Sequence, residues 1–230
     1  MTRRHDAVIS ILLAATVVAM PVALYRIFLV APEELVMGAV QKIFYFHVPL
    51  AAVTFLSVFV LLAGAVGYLW TRRAVWDHLS IASAEVGLLF CTLVLITGPI
   101  WAKPAWGVWW TWEAKLTTTL ILWLLLAGIL LSRAYATTPE QGARVASVLG
   151  VVAALDVPIV YKAVDWWRGQ HPIVFGPGKG NPLAPGMGSA LMVSLIVFVL
   201  LYMLLLASRM RLAGLEDRLA AVEDNVWRSR

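Results

Sequence analysis

The sequence predicts an all-α, polytopic membrane protein with six transmembrane helices and both termini in the cytoplasm. Three observations lead there. Hydrophobic residues make up 61% of the chain and charged residues only 13%, with a mean hydropathy of +0.85, whereas a soluble domain carries about 25% charged residues. Six apolar stretches approach the ~20 residues that a helix needs to cross the hydrocarbon layer. The basic residues lie in short segments between those stretches and are unevenly divided. The net charge of +5 then reflects orientation and anionic lipid, and no nucleic-acid partner is expected.

In chain order, the spans fall at 7–30, 48–70, 79–100, 116–131, 145–163 and 187–207. The first follows Met1-Thr-Arg-Arg-His-Asp and exceeds the ~7–15 residues of a signal-peptide core, so it reads as a retained span. The second and third are apolar throughout apart from Glu85. The fourth is short, but Thr117, Thr118 and Thr119 can extend it by bonding their hydroxyls to the preceding turn. The fifth carries Asp156 and Pro158, and the sixth is uninterrupted. Residues 1–208 thus read as one membrane domain. Beyond it, Leu212, Leu215, Leu219, Val222 and Val226 recur at helical spacing among charges. The segment 209–230 is expected to be a short amphipathic cytoplasmic helix, docked on a partner or lying along the inner leaflet.

Charge sets the orientation. One group of segments holds Arg3, Arg4, Arg72, Arg73, Arg133, Arg144, Arg209, Arg211, Arg218, Arg228 and Arg230; the other holds Arg26, Lys42, Lys103, Lys115, Lys162, Arg168 and Lys179. The richer group marks the cytoplasmic side. Three outward segments remain, at 31–46, 101–115 and 164–186. Each holds something unusual, while the inward loops at 71–78 and 132–144 are short and plain. Function is expected on the outer face.

Five of the eleven tryptophans fall within residues 101–112, as Trp101-Ala-Lys-Pro-Ala-Trp-Gly-Val-Trp-Trp-Thr-Trp112, followed by Glu113. Pro104 suits a first helical turn. A helix from there would set Trp106, Trp109, Trp110 and Glu113 on one face, with Trp101 and Trp112 flanking it. Indole faces so arranged form a platform for a planar apolar ligand, with Lys103 and Lys115 near its carboxylates. The same residues also suit a helix lying in the headgroup layer, its lysines snorkelling to phosphate.

Two histidines map to the same side. His47 stands in Lys42-Ile-Phe-Tyr-Phe-His-Val-Pro, and His171 in Val164-Asp-Trp-Trp-Arg-Gly-Gln-His-Pro. Either alone would be an ordinary interfacial residue. Two beside an indole platform fit axial ligation of haem iron from opposite sides. His5 and His78 map inward and are expected to be solvated. Glu85 and Asp156 are costly within apolar spans and are functional candidates on that ground. Glu85 suits a capping or snorkelling role, and Asp156 with Pro158 could bend the fifth span toward the outer site. Cys91, the one cysteine, lies in a span and permits no disulfide and no Cys-x-x-Cys-His haem attachment.

Residues 101–117, with the two histidine motifs in the same order, resemble the CcmC family of haem-handling membrane proteins, whose mark is a tryptophan-rich WWD segment. The resemblance covers nearly the whole chain. It implies non-covalent haem b held at the outer face of a bacterial inner membrane, with His47 and His171 as axial ligands of the iron. Trp101, Trp106, Trp109, Trp110, Trp112 and Glu113 would surround the porphyrin. It also implies delivery to a periplasmic haem chaperone, CcmE, beside the ATP-binding-cassette subunits CcmA and CcmB and the small membrane subunit CcmD. The protein would be a delivery subunit and not an enzyme. Two departures stand out. Glu113 and Lys115 replace the family's usual Asp and Arg, and Gly169-Gln170 replaces its usual Thr-Leu.

Three other functions compete with this one. A redox cytochrome b needs histidine pairs deep in its spans, which this chain lacks. A cytochrome c synthase-type haem lyase shares the tryptophan cluster but carries extra spans and further histidines. A permease subunit that binds no haem would lack the visible absorbance of haem.

Overall fold

A computed structural model of the chain describes residues 2–34, 37–174, 183 and 186–228. Lys179 and Arg230, two of the basic residues in the charge bias, lie outside them. Six helices dominate: α1 Thr2–Tyr25, α2 Phe44–Thr71, α3 Ala74–Trp106, α4 Ala114–Ala134, α5 Pro139–Trp167 and α6 Met187–Arg228. A π-helical turn, Arg26–Val30, prolongs α1, and a 3-10 turn, Ala39–Ile43, leads into α2. Among the described residues there is no strand, and six helical segments are long and apolar enough to cross a membrane. Helix is what an apolar chain must form where no water can satisfy its backbone.

The connections are short and chemically marked. Helix α2 stops at Arg72, which takes a left-handed backbone (φ 58°), and α3 starts two residues later, so the two run antiparallel. Thr138 caps α5 by accepting the Gln141 N–H at 3.2 Å, with Pro139 next to it.

Helices α2 and α3 make a close seam. A Cβ on Gly64 would stand 2.7 Å from the Ser80 backbone nitrogen and 2.9 Å from the Trp76 carbonyl oxygen. One on Gly87 would stand 2.3 Å from Ser57 Oγ. Small residues let membrane helices approach this closely, where apolar burial gives no net drive against lipid. Around this pair, Val58, Leu61, Ala84, Leu122, Leu126, Ile129 and Ala153 fill the space between α2, α3, α4 and α5. Helix α6 closes the other side with Phe198 and Tyr202. The Tyr202 hydroxyl lies 2.8 Å from Ser83 Oγ, which donates to the Ser57 carbonyl at 2.7 Å, so a buried polar thread joins α6, α3 and α2. Helix α1 packs on α6 and leaves Ile11 and Val18 exposed, as a lipid-facing surface would.

The end of the bundle where α1 begins and α6 extends differs from expectation in two ways. Residues 209–228 do not form a separate helix: they continue α6 without a break. At about 1.5 Å per residue its 42 residues are roughly twice the ~30 Å hydrocarbon thickness. Secondly, several polar side chains there are paired. Arg209 grips Glu85 through Nε and through Nη2, the latter at 2.7 Å, and Arg211 pairs with Asp6. His78 Nε2 meets Asp217 Oδ2 at 2.8 Å, and Arg133 meets Asp77 at 2.6 Å. Glu85 is thus an ion-pair partner and neither caps nor snorkels, and His78 is not simply solvated. Three of these contacts, Arg209–Glu85, Arg211–Asp6 and His78–Asp217, fasten the extension of α6 to α1 and α3. They join residues more than a hundred positions apart, a pairing with no local sequence signal.

Replacing Gly64 by alanine should force α2 and α3 apart against immovable backbone. Overpacking of this kind costs about 1–3 kcal/mol, so the apparent melting temperature in detergent should fall. A variant melting with the parent would show that the seam is slack.

Candidate functional site

His47 is the fourth residue of α2, and the last turns of α3 rise beside it. Helix α5 ends at Arg168, whose left-handed backbone (φ 53°) turns the chain so that His171 comes back toward α2. Between them lies a cavity of about 420 Å³, within the ordinary range for a small-molecule site. Its mouth carries His47, His171, Trp101, Trp106, Trp110, Lys115 and Lys162, and its floor reaches Phe55, Leu122 and Val160 between the four central helices.

The tryptophan segment is not the helix its spacing suggests. Helix α3 runs on through Pro99 and Pro104 to Trp106 and stops at Gly107, whose φ of 78° suits a residue without Cβ. Residues 107–113 are irregular, and Trp112 itself has a positive φ of 54°. A glycine stop thus outweighed a proline start. The indoles are divided as a result. Trp101, Trp106 and Trp110 line the cavity, while Trp109 and Trp112 are 58% and 69% exposed and do not. Trp106 is the hinge of the cluster, edge-on to both Trp101 at 5.3 Å and His171 at 6.2 Å between ring centres. Trp112 still meets Trp110 edge-on at 5.6 Å. The Trp110 indole N–H is buried with no acceptor among the described residues.

The two imidazoles face one another with centroids 6.3 Å apart. Their hydrogen bonds assign the same tautomer to both. His171 Nδ1 lies 3.1 Å from the Pro172 carbonyl, which can only accept, so Nδ1 carries the proton. His47 Nδ1 lies 2.8 Å from Thr97 Oγ1, whose own proton goes to the Leu93 carbonyl at 2.7 Å, so here too the ring donates from Nδ1. Each Nε2 is left with a lone pair. A metal–imidazole bond is about 2.0–2.1 Å; with the ring radii added, one metal atom between two Nε2 atoms needs centroids roughly 6 Å apart. The pair fits haem iron in spacing and protonation, and the apolar walls and orphaned indole N–H fit a porphyrin bearing carboxylates. Burial first, and the charge of Lys115 second, push the pKa of His171 down to about 3. Its ring is therefore neutral at ordinary pH, as a ligand must be.

Glu113 has a mechanical place at the rim. It precedes α4, but its Oε2 reaches across to accept the Gln170 backbone N–H at 3.0 Å, one residue before His171. A Cβ on Gly169 would sit 2.9 Å from that same oxygen. Burial raises the Glu113 pKa, opposed by the Gln170 N–H and by Lys115. Lys115 lines the cavity, whereas Lys103 turns back to bond the Gly107 carbonyl at 2.8 Å. Asp156 stands apart from this site, 7% exposed and outside the cavity lining. Sequence reading overlooked Thr97, and it marked Gly169 and Gln170 as a departure without placing them against Glu113. A threonine in an apolar run carries no signal until the fold sets it against His47.

Over residues 1–224 the chain matches the family described as CcmC, Heme exporter protein C. It is 35% identical over 213 residues to Heme exporter protein C of Bradyrhizobium diazoefficiens, covering 92% of this chain and 81% of that protein. The protein of that name from Haemophilus influenzae is 34% identical, covering 81% and 76%. The one from Escherichia coli is 32% identical, covering 86% and 80%.

Removing the Glu113 carboxylate should free the loop that carries His171. A hydrogen bond to a charged group contributes about 1.5–3 kcal/mol, so Glu113→Ala should speed tryptic cleavage after Arg168 by about ten-fold or more. The span helices should stay intact. Cleavage at the parent's rate would show that the contact does not hold the loop.

Proposed function

The chain belongs to the Heme exporter protein C family, and from that membership we propose that it binds haem at the outer face of the inner membrane and hands it to a periplasmic, CcmE-like chaperone during c-type cytochrome maturation. The observation that carries this reading is the His47–His171 pair. Two imidazoles from different elements face each other at 6.3 Å across an indole-lined cavity, both with Nε2 unprotonated.

In this reading, His47 and His171 would hold the haem iron. Bound haem supplies the metal centre and the planar apolar ring; the rest is the work of this chain. Trp106 and Trp110, with Trp101, exclude water from the ring's faces and edge. The Trp110 N–H and the Lys115 ammonium are placed for the carboxylates. Glu113 holds the second ligand's loop closed, and opening that loop would free one side of the cavity for transfer. Attachment is non-covalent, because Cys91 is fully buried in the core and away from the cavity. The assembly with the ATP-binding-cassette pair CcmA–CcmB and the small subunit CcmD, and a role as delivery subunit without turnover of its own, follow from the same family reading.

Both termini are assigned to the cytoplasm by the arginine bias. The four ion pairs of the helix bundle's opposite end agree, since they gather Arg133, Arg209 and Arg211 away from the haem cavity.

Purified protein should give a b-type pyridine haemochrome, and His47→Ala or His171→Ala should abolish the six-coordinate spectrum without lowering membrane levels. The indole division adds a sharper contrast. Trp106→Leu with Trp110→Leu should lose most haem, while Trp109→Leu with Trp112→Leu should keep it. Parent-like spectra in both histidine variants would overturn the ligand assignment.

Reporter enzymes fused after Arg228 should be active only in a cytoplasmic-reporting format. Activity of a periplasm-specific reporter at that position would reverse the topology.

A further inference from the structure

Behind the two imidazoles lie partners of different kinds. His171 is held by a carbonyl in its own loop, one residue away. His47 is held by a side chain on another helix, fifty residues on, and that side chain has been given its polarity by the helix it belongs to. Thr97 donates its hydroxyl proton to the Leu93 carbonyl one turn earlier at 2.7 Å. Its remaining oxygen lone pairs face His47 Nδ1 at 2.8 Å. A hydroxyl committed in this way accepts and does not donate, so it holds His47 in one tautomer and in one rotation about its Cβ–Cγ bond.

The helix register makes this contact a fixture. Gly64 meets Ser80, Ser57 meets Gly87 and His47 meets Thr97. In each pair the residue numbers total 144, so one antiparallel register runs from the inner end of the seam to the cavity. Close packing at Gly64 and Gly87 sets Thr97 opposite His47, and a Cβ on Gly98 would stand 3.4 Å from His47 Cε1. Thr97 does not line the cavity; it meets His47 at Nδ1.

We propose that Thr97 is the positioning residue for haem ligation: its hydroxyl fixes His47 with Nδ1 protonated and Nε2 aimed at the iron, and it tunes the donor strength of that nitrogen. The proposal rests on the ligand reading above. Partners of this kind orient metal-bound histidines, and their loss typically costs 10- to 100-fold in affinity.

The test compares Thr97→Val, which keeps the shape and removes the acceptor, with Thr97→Ser, which keeps the hydroxyl. In haem-loaded protein, Thr97→Val should release haem to apomyoglobin about 10- to 100-fold faster, show a partly high-spin spectrum and shift the reduction potential. Thr97→Ser should restore all three. A purely structural role would not move spin state and potential while membrane level and melting stay unchanged. Equal behaviour of parent and Thr97→Val overturns the proposal. Parent-like spectra in His47→Ala would instead overturn the ligand reading beneath it. If Thr97→Val does not accumulate, histidine-labelled parent protein without haem decides the matter by nitrogen NMR. An Nδ1–H tautomer for His47 supports the assignment, and an Nε2–H tautomer overturns it.

Discussion

The contact between α2 and α3 governs what the rest of the molecule can do. In a bilayer the apolar effect does not press helices together, so association depends on how closely their backbones fit. Here the fit is set by missing side chains at Gly64 and Gly87. That seam fixes the register of two long helices, and register is transmitted without loss because a helix is stiff along its axis. The remaining helices dress the pair. Helices α4 and α5 lean on one side and enclose the cavity, and α6 covers the other through Tyr202 and Phe198. An ångström of precision at the outer site is therefore inherited from packing some 25 Å deeper, at about 1.5 Å per residue.

This division of labour explains the chemistry of the two ends. At the cavity end an indole N–H and one oxygen of Glu113 are buried without a partner among the described residues. At the opposite end Glu85, Asp77, Asp6 and Asp217 are each paired with a basic side chain. Native proteins rarely bury unpartnered polar atoms, so the orphaned indole N–H marks the cavity end as shaped for a ligand, while the ion pairs at the other end serve stability. His171 shows the electrostatic side of the same arrangement. Burial and the Lys115 charge keep it neutral, and the lysine charge that discourages its protonation also suits an anionic guest.

Much of the fold was legible in the chain. Span number and order follow from apolar runs, because length and hydropathy are local properties. The site was legible in part. His47, His171 and the tryptophan cluster could be placed on one face by counting spans. The conformation of the Trp segment could not be, since Pro104 signals a helix start as readily as it fits the last turns of α3, and the choice was made by Gly107. Nor could the pairing of Glu85 with Arg209 or of His47 with Thr97, which depend on helix register across the bundle. The tail shows the same blindness in another form: amphipathic spacing revealed a helix, but not its continuity with α6.

The contact between Glu113 and Gly169 has a consequence for engineering. A Cβ at 169 would come within 2.9 Å of Oε2 of Glu113, so a side chain there would require that carboxylate to shift. The same oxygen accepts the Gln170 N–H, so such a shift would be felt one residue from His171. The two loops are therefore coupled through a single oxygen atom. Grafting experiments between relatives should treat the tryptophan loop and the second histidine loop as a single cassette.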